Sequence, residues 1–187
     1  FESQHLNSKV NKENLSFVFD TIKLLGINKK NFITSLKNYK GLEHRQEYFH
    51  KIGKTKFIND SKATNFESAK NAISNYKNIY WIVGGQPKIN EIFSLKRLKK
   101  NILKAYIIGN HQSFFKQKLH NQIDIIISKN LKKALKDISY DIRINNKVED
   151  KTVLLSPASA SFDQFRNFED RGNIFKKIVR SYGKKSF

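Results

Sequence analysis

Between residues 66 and 156 the sequence alternates between helical periodicity and short, unbroken apolar runs. The runs are IYWIVGG (79–85), KAYIIG (104–109), DIIIS (124–128) and TVLLS (152–156), and helical patterns precede them at 66–77, 90–101, 112–119 and 130–140. Short continuous apolar strands separated by helices are what a parallel sheet covered on both faces requires. The alternation therefore predicts an α/β domain with a mostly parallel, Rossmann-like sheet. A long final helix is expected from about 161 to 182.

Upstream of this alternation the pattern differs. KENLSFVFDTIKLL (12–25) sets Leu15, Val18, Phe19, Ile22 and Leu25 at helical spacing before Gly26, a common helix stop. A second short helix fits 30–39, with Phe32, Ile33 and Leu36 on one side. Beyond Gly41, QEYFHKI and TKFIND read as two strands turned at Gly53. A domain boundary is expected near residue 40, with two helices before it (1–40) and the α/β domain with its N-terminal β-hairpin after it (41–187).

Composition narrows the class. Apolar residues make up 39% and charged residues 28%, a globular balance. No apolar run approaches the roughly 18 residues of a membrane span, and the polar opening FESQHLNSKVNKEN lacks a signal-peptide pattern. No membrane association and a cytoplasmic location are expected. Cysteine is absent, so disulfides, thiolate metal sites and cysteine nucleophiles are excluded. The chain starts at Phe1 and holds no methionine, which reads as a portion of a longer protein.

The net charge of +20 raises nucleic-acid binding as an alternative. Yet the lysines spread along nearly every segment, with short clusters only at Lys96–Lys100 and Lys184–Lys185. The seven tyrosines and fifteen phenylalanines do not interleave with them in an RNA-binding pattern. An AT-rich genome, favouring Lys, Asn and Ile codons, accounts for the charge, and nucleic acid is not the expected partner. A binding module for acidic partners remains the rival reading.

In open α/β sheets, ligands sit beyond the carboxyl ends of the strands. Three polar segments fall there: NDSKATN (59–65), GGQPK (84–88) and SPASAS (156–161), and the two prolines, Pro87 and Pro157, lie in the last two. GGQPK is no Walker A loop, and G-x-G-x-x-G is absent. Read alone, it is first of all a plain strand-to-helix turn. Ser161 with Gln164 resembles a capping box, which would start a helix and offer its N–H groups to an anion. Phe168, seven residues on, would share its face; capping and packing alone would explain both. The five histidines (5, 44, 50, 111 and 120) show no metal-ligand spacing, and no serine sits in G-x-S-x-G.

Four segments taken together resemble the Mur ligase family, and within it the ligases that add D-glutamate to UDP-N-acetylmuramoyl-L-alanine. They are GLEHR (41–45), INDSKATN (58–65), GGQPK (84–88) and LLSPASASFDQFRNFEDRGNIF (154–175). VNKEN (10–14) looks like the HNxxN segment that ends the central ATPase domain of that family. The resemblance runs across essentially the whole chain. It implies an ATP- and Mg²⁺-dependent amide-forming ligase of three domains, monomeric. This chain would carry the tail of the second domain and all of the third. The P-loop and metal ligands would lie upstream, so the fragment alone is expected to be inactive.

By motif position the resemblance implies roles for individual residues. Asn11 and Asn14 fall on the family's asparagine pair, with Arg45, Asp60 and Lys62 on nucleotide-binding positions. Thr64, Lys88, Ser161 and Phe168 fall on D-glutamate-binding positions, and Lys62 stands nearest a catalytic role. Three positions depart from the family: Val10 for its histidine, Glu43 for the proline of GLPHR, and Ser159 for a frequent cysteine.

Overall fold

The computed structural model describes residues 9–88, 90–145 and 150–183. The Lys184–Lys185 cluster and His5 lie outside the described residues. The chain divides into two compact units, Phe1–Leu42 and Glu43–Phe187.

The first unit holds helices α1 (Lys9–Leu24) and α2 (Lys29–Asn38). Gly26 ends α1 with a φ of 67°, and Ile27 N–H returns to the Ile22 carbonyl at 2.9 Å. Asn28 then caps α2 by accepting from Lys30 N–H. Phe19 and Phe32 bring the two helices together with ring centroids 5.9 Å apart. Ile22 is buried as its spacing predicts, whereas Leu25 lies past the helix end and is 68% exposed.

The second unit is a six-stranded sheet in the order β1-β2-β6-β3-β4-β5. Its strands are β1 (Glu47–Ile52), β2 (Thr55–Asn59), β3 (Ile79–Gly84), β4 (Ile102–Ile108), β5 (Ile125–Lys129) and β6 (Lys151–Leu155). The hairpin β1–β2 is antiparallel, and every other pairing is parallel. Helices α3 (Phe66–Asn75), α4 (Gln112–Leu119), α5 (Leu131–Ile144) and α6 (Phe168–Arg180) cover the sheet. The α/β class with a mostly parallel sheet and one hairpin is as the alternation predicts.

Strand β3 explains why the apolar runs are continuous. Ile79, Trp81 and Val83 enter the core beneath α3 and α4, while Tyr80 and Ile82 enter the core beneath α5 and α6. Period-two alternation thus feeds two separate cores, and neither face can be polar.

Two helical expectations fail. Residues 90–95 are irregular, and only Lys96–Asn101 turns, as a 3-10 helix. Phe93 and Leu95, two apart, are both buried, a spacing that suits extended chain and not a helix. Gln122 satisfies that extended backbone, accepting from Leu95 N–H and donating to the Phe93 carbonyl. The final helix begins at Phe168, not near 161. Ser161 opens a turn whose carbonyl accepts from Gln164 and Phe165 N–H. The helix is capped by Asn167, which accepts from Asp170 N–H at 2.7 Å. Ser161 is therefore not a helix cap, and its proposed anion-binding helix start does not exist.

Candidate functional site

The sheet order selects one part of the strand ends. Strand β2 leads into α3 and β3 into the 3-10 helix, both on one face, while β6 leads into α6 on the other. β6 lies between β2 and β3, so the crevices on both its sides are switch points where ligands bind in such sheets. NDSKATN, SPASAS and GGQPK extend from these three neighbouring strands.

Hydrogen bonds tie the three loops to one another. Asp60 N–H donates to the Leu155 carbonyl at 2.8 Å, and Ser156 Oγ donates to Asp60 Oδ2 at 2.7 Å. Gly84 N–H reaches the Pro157 carbonyl at 2.9 Å, and Gln86 and Ala160 exchange both backbone bonds. Trp81 Nε1 donates to the Ser156 carbonyl at 2.7 Å, holding the root of the SPASAS loop from within the sheet.

Arg171 of α6 locks the assembly from below. It is 0% exposed. Its Nε donates to Ser61 Oγ at 3.0 Å, and its Nη2 donates to the carbonyls of Ser61 and Ser159 at 2.8 and 3.0 Å. Ser61 Oγ in turn donates to the Phe168 carbonyl. Burial lowers the Arg171 pKa to about 10, against the pull of Asp163 and Asp60, so the guanidinium stays charged at neutral pH. Gly85 passes over this point with φ 137°; a Cβ there would lie 2.4 Å from the Ala160 carbonyl oxygen and 2.6 Å from Ser159 Oγ. Arg171 lies within LLSPASASFDQFRNFEDRGNIF, one of the segments that carry the resemblance, but the resemblance assigns it no role.

The expected site residues occupy different environments. Asp60 is 6% exposed, its Oδ1 accepting from Gln46 N–H at 3.1 Å. Burial raises its pKa to about 7, only partly offset by Ser156, Gln46 and the cations Arg45 and Arg171. Arg45 is exposed, one residue before Gln46. Lys62 is exposed, and its Nζ stands 4.7 Å from the centre of the Phe168 ring, a cation–π contact. Thr64 is half-buried, its N–H bonded to the Lys62 carbonyl at 2.9 Å. Lys88 is exposed, two residues past the Gln86–Ala160 bridge, and Ser161, 2% exposed, is one past its other side.

The fold thus joins Arg45 to Asp60 through Gln46, and Lys62 to Phe168 directly, and sets the loops of Lys88 and Ser161 side by side. Asn11 and Asn14 lie three apart on α1 in the first unit, so they share a helix face. Among the described residues no group of three or more His, Asp or Glu could hold a metal ion.

Sheet, switch points and converging polar loops define a Rossmann-like α/β domain with a candidate site at its strand ends. No family model matches the chain. Curated relatives do. The chain is 44% identical over 173 residues to the UDP-N-acetylmuramoylalanine–D-glutamate ligase of Wolbachia sp. subsp. Brugia malayi, covering 92% of this chain and 34% of that protein. It is 36% identical over 180 residues to the ligase of the same name from Rickettsia felis, 96% of this chain and 40% of that protein. With that of Caulobacter vibrioides it shares 39% over 177 residues, 95% and 37% respectively. The chain belongs to the family of these ligases, and it spans between about a third and two fifths of the length of these relatives.

Proposed function

We propose that the chain forms the C-terminal part of an ATP-dependent ligase that joins D-glutamate to UDP-N-acetylmuramoyl-L-alanine in peptidoglycan synthesis. The observation that carries this reading is the meeting of three polar loops around β6, at the two switch points beside it, in a chain whose relatives bear that name. In this reading ATP phosphorylates the alanyl carboxylate, the D-glutamate amine attacks the acyl phosphate, and phosphate leaves.

This chain's part is binding and orientation. Arg45, Asp60 and Lys62, with Asn11 and Asn14, serve the nucleotide. Thr64, Lys88, Ser161 and Phe168 hold D-glutamate, with Lys88 as a point charge for a carboxylate and the Phe168 ring excluding water. Lys62 stands nearest the reacting end, held against Phe168. Such steps depend on charges held in place before reaction, and the loop bonds around Asp60, Ser61 and Ser159 supply that fixity. The resemblance assigns the Mg²⁺ ligands and the P-loop to the remainder of the enzyme. Residues 1–40 belong to its central ATP-binding domain and 41–187 to its C-terminal domain. The enzyme works as a monomer in the cytoplasm, and this chain by itself does not catalyse.

The test is phosphate release by the full-length protein. It should require ATP, UDP-N-acetylmuramoyl-L-alanine and D-glutamate together. Turnover with another amino acid and none with D-glutamate would refute the reading.

A further inference from the structure

Arg45 sits between two residues in a backbone conformation that side chains rarely adopt: His44 has φ 61° and Gln46 φ 45°. Such geometry persists only where the surroundings enforce it. Here His44 N–H donates to Glu47 Oε2 at 3.0 Å. The His44 carbonyl accepts from Lys62 N–H at 3.0 Å, and Gln46 N–H donates to Asp60 Oδ1. The Arg45 peptide is therefore held on both sides.

Glu47 is the centre of this hold. Its Oε2 also accepts from Asn59 Nδ2 at 2.9 Å, and its Oε1 accepts from Lys176 Nζ at 3.0 Å. Lys176 is 7% exposed and pairs also with Glu43 at 3.4 Å. Burial pushes the Glu47 carboxyl upward, but the His44 N–H, Lys176 and Asn59 outweigh it and hold it below its ordinary range. The Asn59 amide is oriented unambiguously, because its Oδ1 accepts from Ser61 N–H. Its Nδ2 must therefore donate to His44 Nδ1, 2.9 Å away, which leaves that nitrogen unprotonated. Burial, and after it Lys176, lowers the His44 pKa in agreement. From the other side Gly172 of α6 comes so close that a Cβ would lie 2.2 Å from His44 Nδ1. Glu47 and Lys176 belong to no segment that carried a role in the sequence.

We propose that Glu47, backed by Asn59 and Lys176, is a positioning residue for the nucleotide site: it holds the His44–Arg45–Gln46 backbone so that the Arg45 guanidinium is presented to ATP. This rests on the reading of Arg45 as a nucleotide contact.

The experiment measures KM for ATP and for D-glutamate in the full-length ligase for Glu47→Ala, Glu47→Gln, Arg45→Ala and the Glu47→Ala/Arg45→Ala double variant. Glu47→Ala should raise the KM for ATP about 10-fold, and that for D-glutamate less than about twofold. Glu47→Gln keeps an acceptor for His44 N–H and should recover part of the loss. It also serves as the test variant should Glu47→Ala not fold. In the Arg45→Ala background Glu47→Ala should add nothing, because it acts through Arg45; a purely structural role would add its full effect. An unchanged ATP KM in both Glu47 variants, with Arg45→Ala impaired, overturns the proposal alone. An unchanged ATP KM in Arg45→Ala overturns the nucleotide reading of Arg45 as well.

Discussion

The loop after β2 and the loop after β3 leave the sheet on either side of β6, yet they are held by different means. Residues 60–65 are anchored chiefly by side chains, Asp60 to Ser156 and Ser61 to Arg171 and Phe168, with one backbone bond from Lys62 N–H to the His44 carbonyl. Residues 84–88 are anchored by backbone alone, through Gly84 to Pro157 and the Gln86–Ala160 exchange. One loop is specified by buried polar partners from distant segments. The other is specified by the absence of side chains that would block its path. The same position at a strand end can thus be built by chemistry or by clearance.

Replacing Arg171 should break the first kind of anchoring. Arg171→Met leaves the buried carbonyls of Ser61 and Ser159 without their donor and should cost about 4 kcal/mol in urea unfolding of the chain. Adding a side chain should break the second kind. Gly85→Ala meets the Ala160 carbonyl and a backbone φ of 137°, and should cost about 3 kcal/mol. Amide exchange at Gln86 and Ala160 should quicken in that variant, while Lys62 and Ala63 keep their protection.

A smaller effect should depend on pH. The Asp60 carboxyl has its pKa raised from 3.8 to about 7 in the fold, so the folded state binds the proton more tightly. Its contribution is fully present below the unfolded value and is lost as pH rises toward about 7. Asp60→Asn removes that loss. Between pH 5 and pH 8 the variant should gain on the parent by on the order of 2 kcal/mol in urea titrations. The smallest effect should come from Lys88→Ala. Lys88 is exposed, so stability should stay within about 0.5 kcal/mol of the parent. In the full-length ligase the same change should raise the KM for D-glutamate far more than that for ATP.

What could be read in advance follows the same division. The strands were legible because burial on both faces leaves no room for polar residues, as in IYWIVGG. The loops were legible because strand ends, prolines and glycines mark them. The false helix at 161–167 came from a local capping pattern, Ser161 with Gln164, that a turn satisfies equally well. The false helix at 90–95 covers a segment whose backbone is satisfied by Gln122, remote in sequence. Arg171 and Glu47 were opaque for that reason too. A buried polar network is written at positions such as 44, 47, 59, 61, 159, 171 and 176, and no local periodicity connects them.

The placement of β6 carries a consequence for how the molecule is assembled. β2 and β3 are not neighbours; each pairs with β6, which follows both by many residues in the chain. Without β6 the hairpin and the β3–β4–β5 group therefore have a strand-wide gap between them. Both crevices come into being when the final strand enters it. Pairing over so long a sequence separation slows folding, and neither crevice beside β6 can exist without it.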